Sequence, residues 1–448
     1  VGSEMCIRDR LIQLAMVTKG IILRRTADLL ESYLPSKYEM VLFCTMSPIQ
    51  RRIYGLCSEF VNYQLAFSEE RNYLPFITLL RRLCNSPELL RQDINDLGRE
   101  PESSAQALAR AAESLLDHPA VHYQRTDEAA ESGKLAVLHR LLANIYKTTN
   151  DRVVIVSNYT STLDVLQRYC SRQKFTALRL DGRTKQDIRT KLVNQFNKND
   201  GKERVASDPF VFLLSSKSGG FGLNLIGANR LILFDSDWNP ATDRQAMARI
   251  HRDGQLKPCY IYRMLLVGSM DEKIFQRQVT KIGLSDALMG NEAGEASESA
   301  GDSFSQEELK DIFNLHLSTR CLTHDLLGCA CGGSGSEPRQ IVPENGLPDV
   351  VGTGRASAGF VSAAKLSREK EFEQAQRKKL VLQLGDFRHY DFGQHADKFT
   401  FDNVLRESVA GQEIIPSPNL PSNRNNFVSD IRTSLGIADL QFCQMILS

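Results

Sequence analysis

The chain has 448 residues, of which 42% are hydrophobic and 24% charged, and its formal net charge at pH 7 is +1. This balance is typical of a soluble globular protein, so any nucleic-acid surface must come from local clusters of cationic side chains. No apolar run reaches about 18 residues, which predicts no membrane span. The length predicts about three units, two folded domains with linkers.

The ten cysteines are scattered along the sequence, and no secretory leader precedes them. We therefore expect mostly free thiols in a reducing, intracellular compartment. The first ten residues, VGSEMCIRDR, begin with Val and fit no later pattern. We expect residues 1–10 to be a non-native leader that takes no part in the fold.

Residues 11–90 are predicted to be mainly helical, with one strand over residues 39–44. A helix is predicted to begin at Ser47-Pro48, because proline is favoured in a first helical turn. The run Asn85-Ser86-Pro87 predicts the end of another helix. Residues 91–131 are polar, charged and rich in alanine, which is typical of a linker or a surface insertion.

Residues 132–285 alternate apolar runs with amphipathic segments. The apolar runs are 153–157, 176–180, 210–216, 231–235 and 259–266. The predicted helices are 132–147, 160–172, 185–198, 221–228 and 240–252. Strands that are hydrophobic throughout predict a parallel sheet with helices on both faces. The fold class is therefore α/β, in which ligands bind beyond the carboxyl ends of the strands.

The part of the chain after this sheet contains more small and polar residues. Residues 286–304 are expected to be a flexible linker. Ser305 and Glu308 form a capping box that begins the next unit, 305–331, with a helix. Residues 332–448 are expected to be a C-terminal extension that is partly disordered.

Four potential metal ligands lie close together in the unit 305–331: Cys321, His324, Cys329 and Cys331. Thiolate and imidazole groups in this number are enough for a closed tetrahedral Zn²⁺ site, although the tight Cys-x-Cys departs from common finger spacing. The alternative is a group of free thiols near a helix end.

A glycine-rich turn, Gly219-Gly220-Phe221-Gly222, follows one apolar run and precedes Asn224. If the turn begins a helix, its free N–H groups can bind a nucleotide or DNA phosphate. Gly220, Gly222 and Asn224 are therefore candidate cofactor-binding residues. Close packing of a strand against a helix would also explain the glycines.

Gln245, Arg249 and Arg252 follow at positions i, i+4 and i+7, so a helix would project all three from one face. Such a face can bind the phosphates of a nucleotide. Gln245 is a cofactor-binding candidate and the two arginines are the catalytic candidates. The alternative is a solvated helix face with weak ion pairs to Asp243 or Asp253.

Three sequence blocks resemble motifs IV to VI of the SWI/SNF-related superfamily-two motors: VVIVSNYTSTLDVL, RLDGRT and LLSSKSGGFGLNLIGANRLILFDSDWNPATDRQAMARIHRDGQ. Upstream, IILRRTADLLESYLPSKYE and LLRRLCNSPELL resemble the tail of the first motor lobe. Downstream, YIYRMLLVGSMDEKIFQRQ and LTHDLLGCACG resemble the recombination-repair translocases of the Rad-fifty-four type, nearer the B paralogue. The resemblance covers roughly residues 12–331.

The resemblance implies that residues 132–285 are the RecA-like second motor lobe and that residues 11–90 are the tail of the first. ATP with Mg²⁺ would lie between the lobes. Arg249 and Arg252 would reach across the cleft to the γ-phosphoryl group, as arginine fingers do. The histidine and cysteines after the lobe would hold a structural Zn²⁺.

The resemblance also implies contacts with the phosphates of one DNA strand. The implied DNA-binding residues are Ser157, Asn158, Tyr159, Thr160, Arg183, Thr184, Ser215, Ser216 and Lys217. Hydroxyl, amide and cationic donors of this kind bind the DNA backbone without reading its sequence. Each of them could instead belong to an ordinary cap or turn.

Two motifs of such a motor are missing from the sequence, the phosphate loop GxxxxGK followed by Ser or Thr and the acidic strand end for Mg²⁺. Gly133-Lys134 is followed by Leu135, and Asp127-Glu128 has no apolar strand before it. We therefore expect a C-terminal fragment, inactive alone, of an ATP-dependent double-stranded-DNA translocase.

By resemblance, the whole protein would act in homologous recombination and DNA repair in the nucleus. Its partners would be double-stranded DNA, chromatin and the recombinase filament. One alternative is the lobe of a general nucleosome remodeller. The other is a non-catalytic DNA-docking or interaction module that has no first lobe.

Overall fold

The structure is a computed structural model that describes residues 33–67, 74–90, 132–198, 205, 207–218, 223–289, 311–316, 321–327, 402 and 404. The strands are β1 (Lys37–Cys44), β2 (Val153–Ser157), β3 (Ala177–Leu180), β4 (Val211–Ser215), β5 (Arg230–Leu233) and β6 (Cys259–Leu266). The helices are α1 (Pro48–Phe67), α2 (Leu74–Asn85), α3 (Gly133–Thr148), α4 (Thr160–Arg172), α5 (Gln186–Asn197), α6 (Pro240–Met247), α7 (Met270–Met289) and α8 (Leu322–Leu327). None of the described helices combines the length and the apolar composition that crossing a bilayer requires.

The six strands form one sheet in the order β1-β6-β5-β2-β4-β3, and every neighbouring pair is parallel. The apolar runs of the sequence become β2 to β6, and β2, β4 and β5 are buried at every position. Strands covered on both faces have no polar side to alternate with. The structure therefore confirms the α/β prediction and the RecA-like parallel sheet.

The sheet buries apolar side chains on both of its faces. On β2, Val153 and Ile155 join the core cluster that α1 to α4 cover, whereas Val154 and Val156 join the cluster under α5 and α6. Successive side chains of a strand point to opposite faces, so one short strand serves both cores. A third cluster under α7 includes Leu265 of β6.

Strand β1 comes from the segment predicted as the tail of the first lobe, yet it lies in the same sheet as β2 to β6. It pairs with β6 over its whole length, from Lys37 opposite Cys259 to Cys44 opposite Leu266. The described parts of 11–90 and 132–285 therefore share a sheet and a core. The predicted linker between them, 91–131, lies outside the described residues.

Two predicted helices are wrong where the structure describes them. The helix predicted over 240–252 ends at Met247, and the turns that follow lead the chain into β6. Residues 223–228, predicted to be helical, form an irregular segment with a turn. Asn197 binds both ends of this segment, because its Nδ2 donates to Asn224 O at 2.7 Å and its Oδ1 accepts from Gly227 N at 3.0 Å.

Segments that follow β6 pack onto the sheet and its helices. Helix α7 continues to Met289, so residues 286–289 are helical and do not open a flexible linker as predicted. Glu272 of α7 is fully buried and accepts hydrogen bonds from the backbone N and the hydroxyl of Thr323. Further along the chain, Asp402 and Val404 are also buried against the sheet.

Candidate nucleotide and nucleic-acid site

Four adjacent strands end at one edge of the sheet, and most of the candidate DNA-binding residues follow them. In spatial order, β5 leads to Asp235, β2 to Asn158, β4 to Ser216 and β3 to Asp181. Because all four strands are parallel, their carboxyl ends lie side by side. We call the residues 157–160, 181–184, 215–218 and 235 the carboxyl edge.

Asp235 holds the loops after β5 and β2 together. Its Oδ1 accepts from the backbone N of Asn158 at 2.8 Å and from Asn158 Nδ2 at 2.7 Å. Its Oδ2 accepts from Ser157 Oγ at 2.5 Å and from Asn85 Nδ2 at 2.9 Å. Asn158 Oδ1 in turn accepts from Ser216 Oγ at 2.5 Å, which joins the loop after β4 to the same network.

A second set of bonds fixes the loop after β3. Asp181 accepts a hydrogen bond from the backbone N of Arg183 at 2.9 Å. Burial alone would raise the pKa of Asp181. The bond from Arg183 and the nearby Arg179 outweigh burial, so the pKa is lowered. Arg189 donates to Thr184 O at 2.8 Å and to Ser218 O at 3.1 Å, and thus ties the loops after β3 and β4 together.

The candidate DNA-binding residues differ in how far they reach the surface. Thr160, Arg183 and Lys217 are exposed, whereas Asn158, Tyr159, Thr184 and Ser216 are half-buried. Ser157 and Ser215 are buried, so in this conformation their side chains cannot contact DNA, and the prediction that they do so directly is revised. Ser157 instead donates its hydroxyl to Asp235 and thereby supports the loop.

Tyr159 packs beneath two arginines of α2. The guanidinium carbons of Arg81 and Arg82 lie 5.0 and 6.0 Å from the centre of its ring, within the range of a cation–π contact. Burial raises the pKa of the Tyr159 hydroxyl to about 12. Arg81 is itself buried and donates to Ser236 O at 2.6 Å, so α2 contributes to the floor of the carboxyl edge.

The candidate catalytic residues lie at the other end of the strands. Gln245 is exposed on α6, while Arg249 and Arg252 are half-buried in the turns between α6 and β6, at the edge where β5 and β6 begin. The prediction that all three project from one helix face is therefore wrong. Both arginines nevertheless lie beside the segment that follows the glycine-rich turn, since Leu225 N donates to Arg249 O at 3.0 Å.

The two guanidinium groups are close enough to affect each other. Burial, and then the charge of Arg252, lower the pKa of Arg249. Arg252 donates to Leu223 O at 3.4 Å, and in the described part of the chain no carboxylate pairs with it. The alternative that placed Asp243 as its partner is wrong, because Asp243 accepts from Arg263 at 2.6 Å in the interior. A half-exposed cationic pair of this kind fits a polyanion such as a triphosphate.

Gln255 connects the arginine turn to the segment 223–228. Its side-chain amide donates to Ala228 O at 2.8 Å, to Ile250 O at 3.1 Å and to Ile226 O at 3.3 Å. Its Oε1 accepts from two backbone N–H groups that follow it in the chain. A buried amide with this many backbone partners fixes the position of the turn that carries Arg249 and Arg252.

The glycine-rich turn is only partly tested. Gly220 and Gly222 lie outside the described residues. Asn224 is half-buried, and its Oδ1 is enclosed without a hydrogen-bond partner. An enclosed amide oxygen beside two arginines is consistent with a ligand at this place, because such oxygens are otherwise satisfied.

The candidate zinc ligands are also only partly described. Cys321 is half-buried, and its Sγ lies 3.5 Å from Glu272 Oε1. The side chain of His324, and Cys329 and Cys331, lie outside the described residues. Among the residues that the structure does describe, no three metal-binding groups converge on one point. The zinc site stays a prediction.

Four buried residues that support the carboxyl edge were missed by the sequence reasoning: Asn85, Lys134, Asp235 and Asp271. Asn85 is the hub, because it donates to Asp235 and Thr162 and accepts from Lys134 Nζ at 3.2 Å. Lys134 is fully buried and pairs with Asp271 at 2.5 Å. Burial alone would lower the pKa of Lys134, but Asp271 and other neighbouring acids outweigh it and raise the pKa. An isolated Asp after an apolar strand, as at Asp235, was the signal available in the sequence.

Comparison with known proteins places this geometry in a family. The SNF2-related domain matches residues 4–89, and the helicase conserved C-terminal domain matches residues 133–254. The sheet crosses the boundary between these two matches, because β1 belongs to the first and β2 to β5 to the second.

Relatives with curated names are similar over most of the chain. The DNA repair and recombination protein RDH54 of Saccharomyces cerevisiae is 38% identical over an aligned stretch of 408 residues, and the alignment covers 89% of this chain and 41% of RDH54. The DNA repair and recombination protein RAD54B of Mus musculus is 40% identical over an aligned stretch of 409 residues, and the alignment covers 90% of this chain and 43% of RAD54B. The chain thus spans about two fifths of the length of these relatives.

A solved structure of the C-terminal part of the Fun30 ATPase domain is 26% identical, with a TM-score of 0.42, and covers 62% of this chain and 98% of that one. The two domain matches and the long similarity to RDH54 and RAD54B agree with each other. The chain therefore belongs to the SNF2-related, SWI/SNF-type family, and within it to the Rad54-type branch.

Proposed function

We propose that this chain is the DNA-tracking part of an ATP-dependent double-stranded-DNA translocase that acts in homologous recombination and DNA repair. One observation carries the proposal most directly: Thr160, Arg183 and Lys217 are exposed on adjacent strand ends, above a network of hydrogen bonds that holds those ends together. Rigidly placed hydroxyl and cationic groups suit the phosphate backbone.

The two ends of the strands have separate tasks in this proposal. The carboxyl edge binds the phosphates of DNA, and the turn with Arg249 and Arg252 binds the γ-phosphate of ATP. Gln245, Asn224 and the glycines Gly220 and Gly222 assist on the nucleotide side. ATP with Mg²⁺ is held mainly by the rest of the first lobe, and it supplies the free energy that moves the second lobe along DNA.

DNA binding by the chain itself tests the proposal. The purified chain should bind duplexes of unrelated sequence with the same affinity, because the contacts are to the backbone. Fluorescence anisotropy with two labelled duplexes of different sequence measures this. Binding that depends strongly on the sequence, or no binding at low salt, contradicts the proposal.

ATP hydrolysis separates the roles of the two lobes. We expect the chain alone to show no DNA-stimulated hydrolysis, because it has the arginines but no phosphate-binding loop. A phosphate-release assay with and without duplex DNA measures the rate. Robust DNA-stimulated turnover by the chain alone would overturn the assignment of the nucleotide cradle to a separate segment.

The biological setting is proposed from the relatives. RDH54 and RAD54B are named as DNA repair and recombination proteins, which supports a nuclear protein that works with DNA, chromatin and the recombinase filament. A structural Zn²⁺ held by Cys321, His324, Cys329 and Cys331 would fix the segment after the lobe. Metal analysis of the purified chain should find one zinc per molecule, and the absence of stoichiometric zinc contradicts this site.

A further inference from the structure

Asp235 is a buried carboxylate whose oxygen atoms are all occupied by donors from two other segments. The residue is 3% exposed, and its carboxylate accepts two hydrogen bonds from Asn158, one from Ser157 and one from Asn85. An ionised carboxylate offers about four acceptor positions, so this set of donors fills it. An amide or a hydroxyl could not accept the same four bonds.

The network continues from Asp235 outward to the surface. Asn158 Oδ1 accepts from Ser216 Oγ at 2.5 Å, and Ser216 precedes the exposed Lys217. Ser157 Oγ, which donates to Asp235, also accepts from the backbone N of Tyr159 at 3.2 Å, where α4 is about to begin with Thr160. Asp235 therefore bonds directly to the loop after β2, and Asn158 links it to the loop after β4. Both loops present candidate phosphate contacts.

The network also continues inward, to the segment that matches the SNF2-related domain. Asn85 at the end of α2 is fully buried, and its Nδ2 donates both to Asp235 and to Thr162 Oγ1 at 3.0 Å. Its Oδ1 accepts from Lys134, which is paired with Asp271. Asp235 is thus anchored through Asn85 on buried residues of α2, α3 and α7.

We propose that Asp235, anchored by Asn85, is the positioning residue of the carboxyl edge: it touches no DNA but holds Asn158, Ser216 and the start of α4 where they meet the phosphate backbone. The inference deepens the proposed function and rests on it. It also assigns a role to α2, because Asn85 at the end of this helix supports the carboxyl edge from the interior of the protein.

The first test is the substitution Asp235→Asn. Asparagine keeps the shape but replaces one acceptor oxygen by an NH₂ group that faces a donor, so the loops should loosen while the sheet stays folded. We expect the affinity of the chain for duplex DNA to fall about tenfold at low salt, which corresponds to about 1.4 kcal/mol. Fluorescence anisotropy measures the affinity, and thermal unfolding shows whether the variant is folded.

Asp243→Asn is the matched control. Asp243 is also 3% exposed and also follows β5, but its carboxylate accepts from Arg263, Gln278 and the backbone N of Asp237, and none of its bonds within the described residues joins it to a candidate phosphate contact. Its substitution should lower the melting temperature to a similar extent and leave DNA affinity unchanged. An equal loss of affinity in both variants would mean that Asp235 acts through general stability, and it would overturn the proposal.

A double-mutant cycle distinguishes positioning from independent effects. If Asp235 acts through Asn158 and Ser216, the double variant Asp235→Asn with Ser216→Ala should lose less binding free energy than the sum of the losses in the two single variants. The losses from Asp235→Asn and Arg183→Ala should be additive, because Arg183 is held by Asp181 and its loop is joined to the loop after β4 through Arg189, not through Asp235. Additivity in the first pair overturns the inference.

The outcomes also separate this inference from the proposed function. If Lys217→Ala and Ser216→Ala leave DNA affinity unchanged, the carboxyl edge does not bind DNA and the proposed function fails. If they weaken binding but a folded Asp235→Asn chain binds like the wild type, only the positioning role fails. Should Asp235→Asn not fold, Asn85→Ala takes its place, and wild-type affinity of that folded variant overturns the proposal.

Discussion

At the scale of single residues, the arginines near the start of β5 differ in how deeply they are buried and therefore in what they can bind. Near the start of β5, Arg230 donates to Asp151 at 2.8 Å and to Asp402 at 3.1 Å, and its guanidinium carbon lies 4.4 Å from the centre of the Tyr260 ring. Arg230 is 4% exposed, so these partners replace the water that it would otherwise need. The result is a fixed cation in the interior, unlike the half-exposed Arg249 and Arg252.

The substitution Asp151→Asn should reduce stability in a pH-dependent way. Burial would raise the pKa of Asp151, but Arg230 outweighs it, so the pKa is lowered in the folded chain. A lowered carboxyl pKa stabilises the fold above the unfolded pKa of about 3.9, and this stabilisation is lost as the pH falls through the folded pKa. At pH 7 the free energy of unfolding should fall by about 1–3 kcal/mol in the variant.

Urea unfolding of both chains between pH 7 and pH 3 measures this difference. The gap between wild type and Asp151→Asn should be constant down to about pH 5 and shrink below about pH 4. A gap that widens on acidification contradicts the assigned direction.

Arg252→Lys tests the nucleotide side. In a protein that joins this chain to a complete first lobe, kcat for ATP hydrolysis should fall by about 10³–10⁵-fold, the range for loss of an arginine finger. Lysine keeps the charge but not the planar fork that binds a phosphoryl group with two donors. The control Arg244→Lys, exposed on α6, should leave kcat unchanged. Equal rates for all three proteins contradict the assigned role.

At the scale of the elements, the chain is packed tightly where α3 begins next to the end of β1. Of the described glycines, Gly133 at this place has the least room for a side chain. A Cβ on Gly133 would lie 1.8 Å from Thr45 O, so no other residue fits the first position of α3 without movement of the backbone. Ser132 caps this helix by accepting from Leu135 N and donating to Asn85 O at 2.8 Å. The start of α3 is thus fixed against β1 and α2 together.

Gly133→Ala should therefore destabilise the chain by about 1–3 kcal/mol or more, the cost of overpacking a rigid contact. Gly182→Ala is the matched control, because its Cβ would meet Ser218 Oγ at an ordinary 3.7 Å. That variant should be neutral, or stabilised by up to about 1 kcal/mol through a less flexible unfolded chain. Thermal unfolding compares the two, and equal melting temperatures contradict the packing argument.

The sequence predicted the strands better than the helices, for a physical reason. Strands β2, β4 and β5 are buried at every position and β6 at all but one, so their apolar runs are unambiguous. The predicted helix over 240–252 contained Arg249 and Arg252 at helical spacing, but spacing does not show where a chain must turn to enter the next strand. After Met247 the turn is held by Gln255, which donates to Ile250 O, and by Leu225 of a distant segment, whose backbone N donates to Arg249 O. No local pattern reveals the second of these bonds.

The candidate site shows the same division between local and tertiary information. Exposed residues such as Lys217 and Arg183 were found because they follow strands and carry donors. Asp235 and Asn85 were missed because their function depends on partners 77 and 150 positions apart in the chain. Ser157 was found, but its burial under Asp235 changes its role from contact to support.

At the scale of the whole molecule, distant segments of the chain complete one folded unit. Asp402 is fully buried and accepts from Arg230 at 3.1 Å and from the Tyr262 hydroxyl at 2.5 Å, while Val404 joins the core under α1 to α4. The C-terminal extension, which was predicted to be partly disordered, therefore contributes at least these two residues to the packing against the sheet.

Removal of this contact should destabilise the sheet as a whole. Asp402→Asn removes one of the two carboxylates that pair with Arg230 and leaves Asp151 in place. Breaking a buried ion pair of this kind lowers the free energy of unfolding by about 3 kcal/mol or more. The midpoint of urea unfolding should fall, and amide hydrogen exchange should increase in β5 and β6. The exposed Asp187→Asn serves as the control, and similar midpoints for the two variants would show that the Asp402 contact is unimportant.

The salt dependence of DNA binding tests the account most directly, because the central claim is that the carboxyl edge binds the phosphate backbone. Each cationic contact with duplex DNA contributes about 0.9 to the slope of log K against log salt concentration. We predict that the double substitution Lys217→Ala and Arg183→Ala reduces this slope by about 1.8. The matched pair Lys147→Ala and Lys191→Ala, which removes two other exposed charges, should leave it unchanged. Equal slopes for the two double variants would contradict the account.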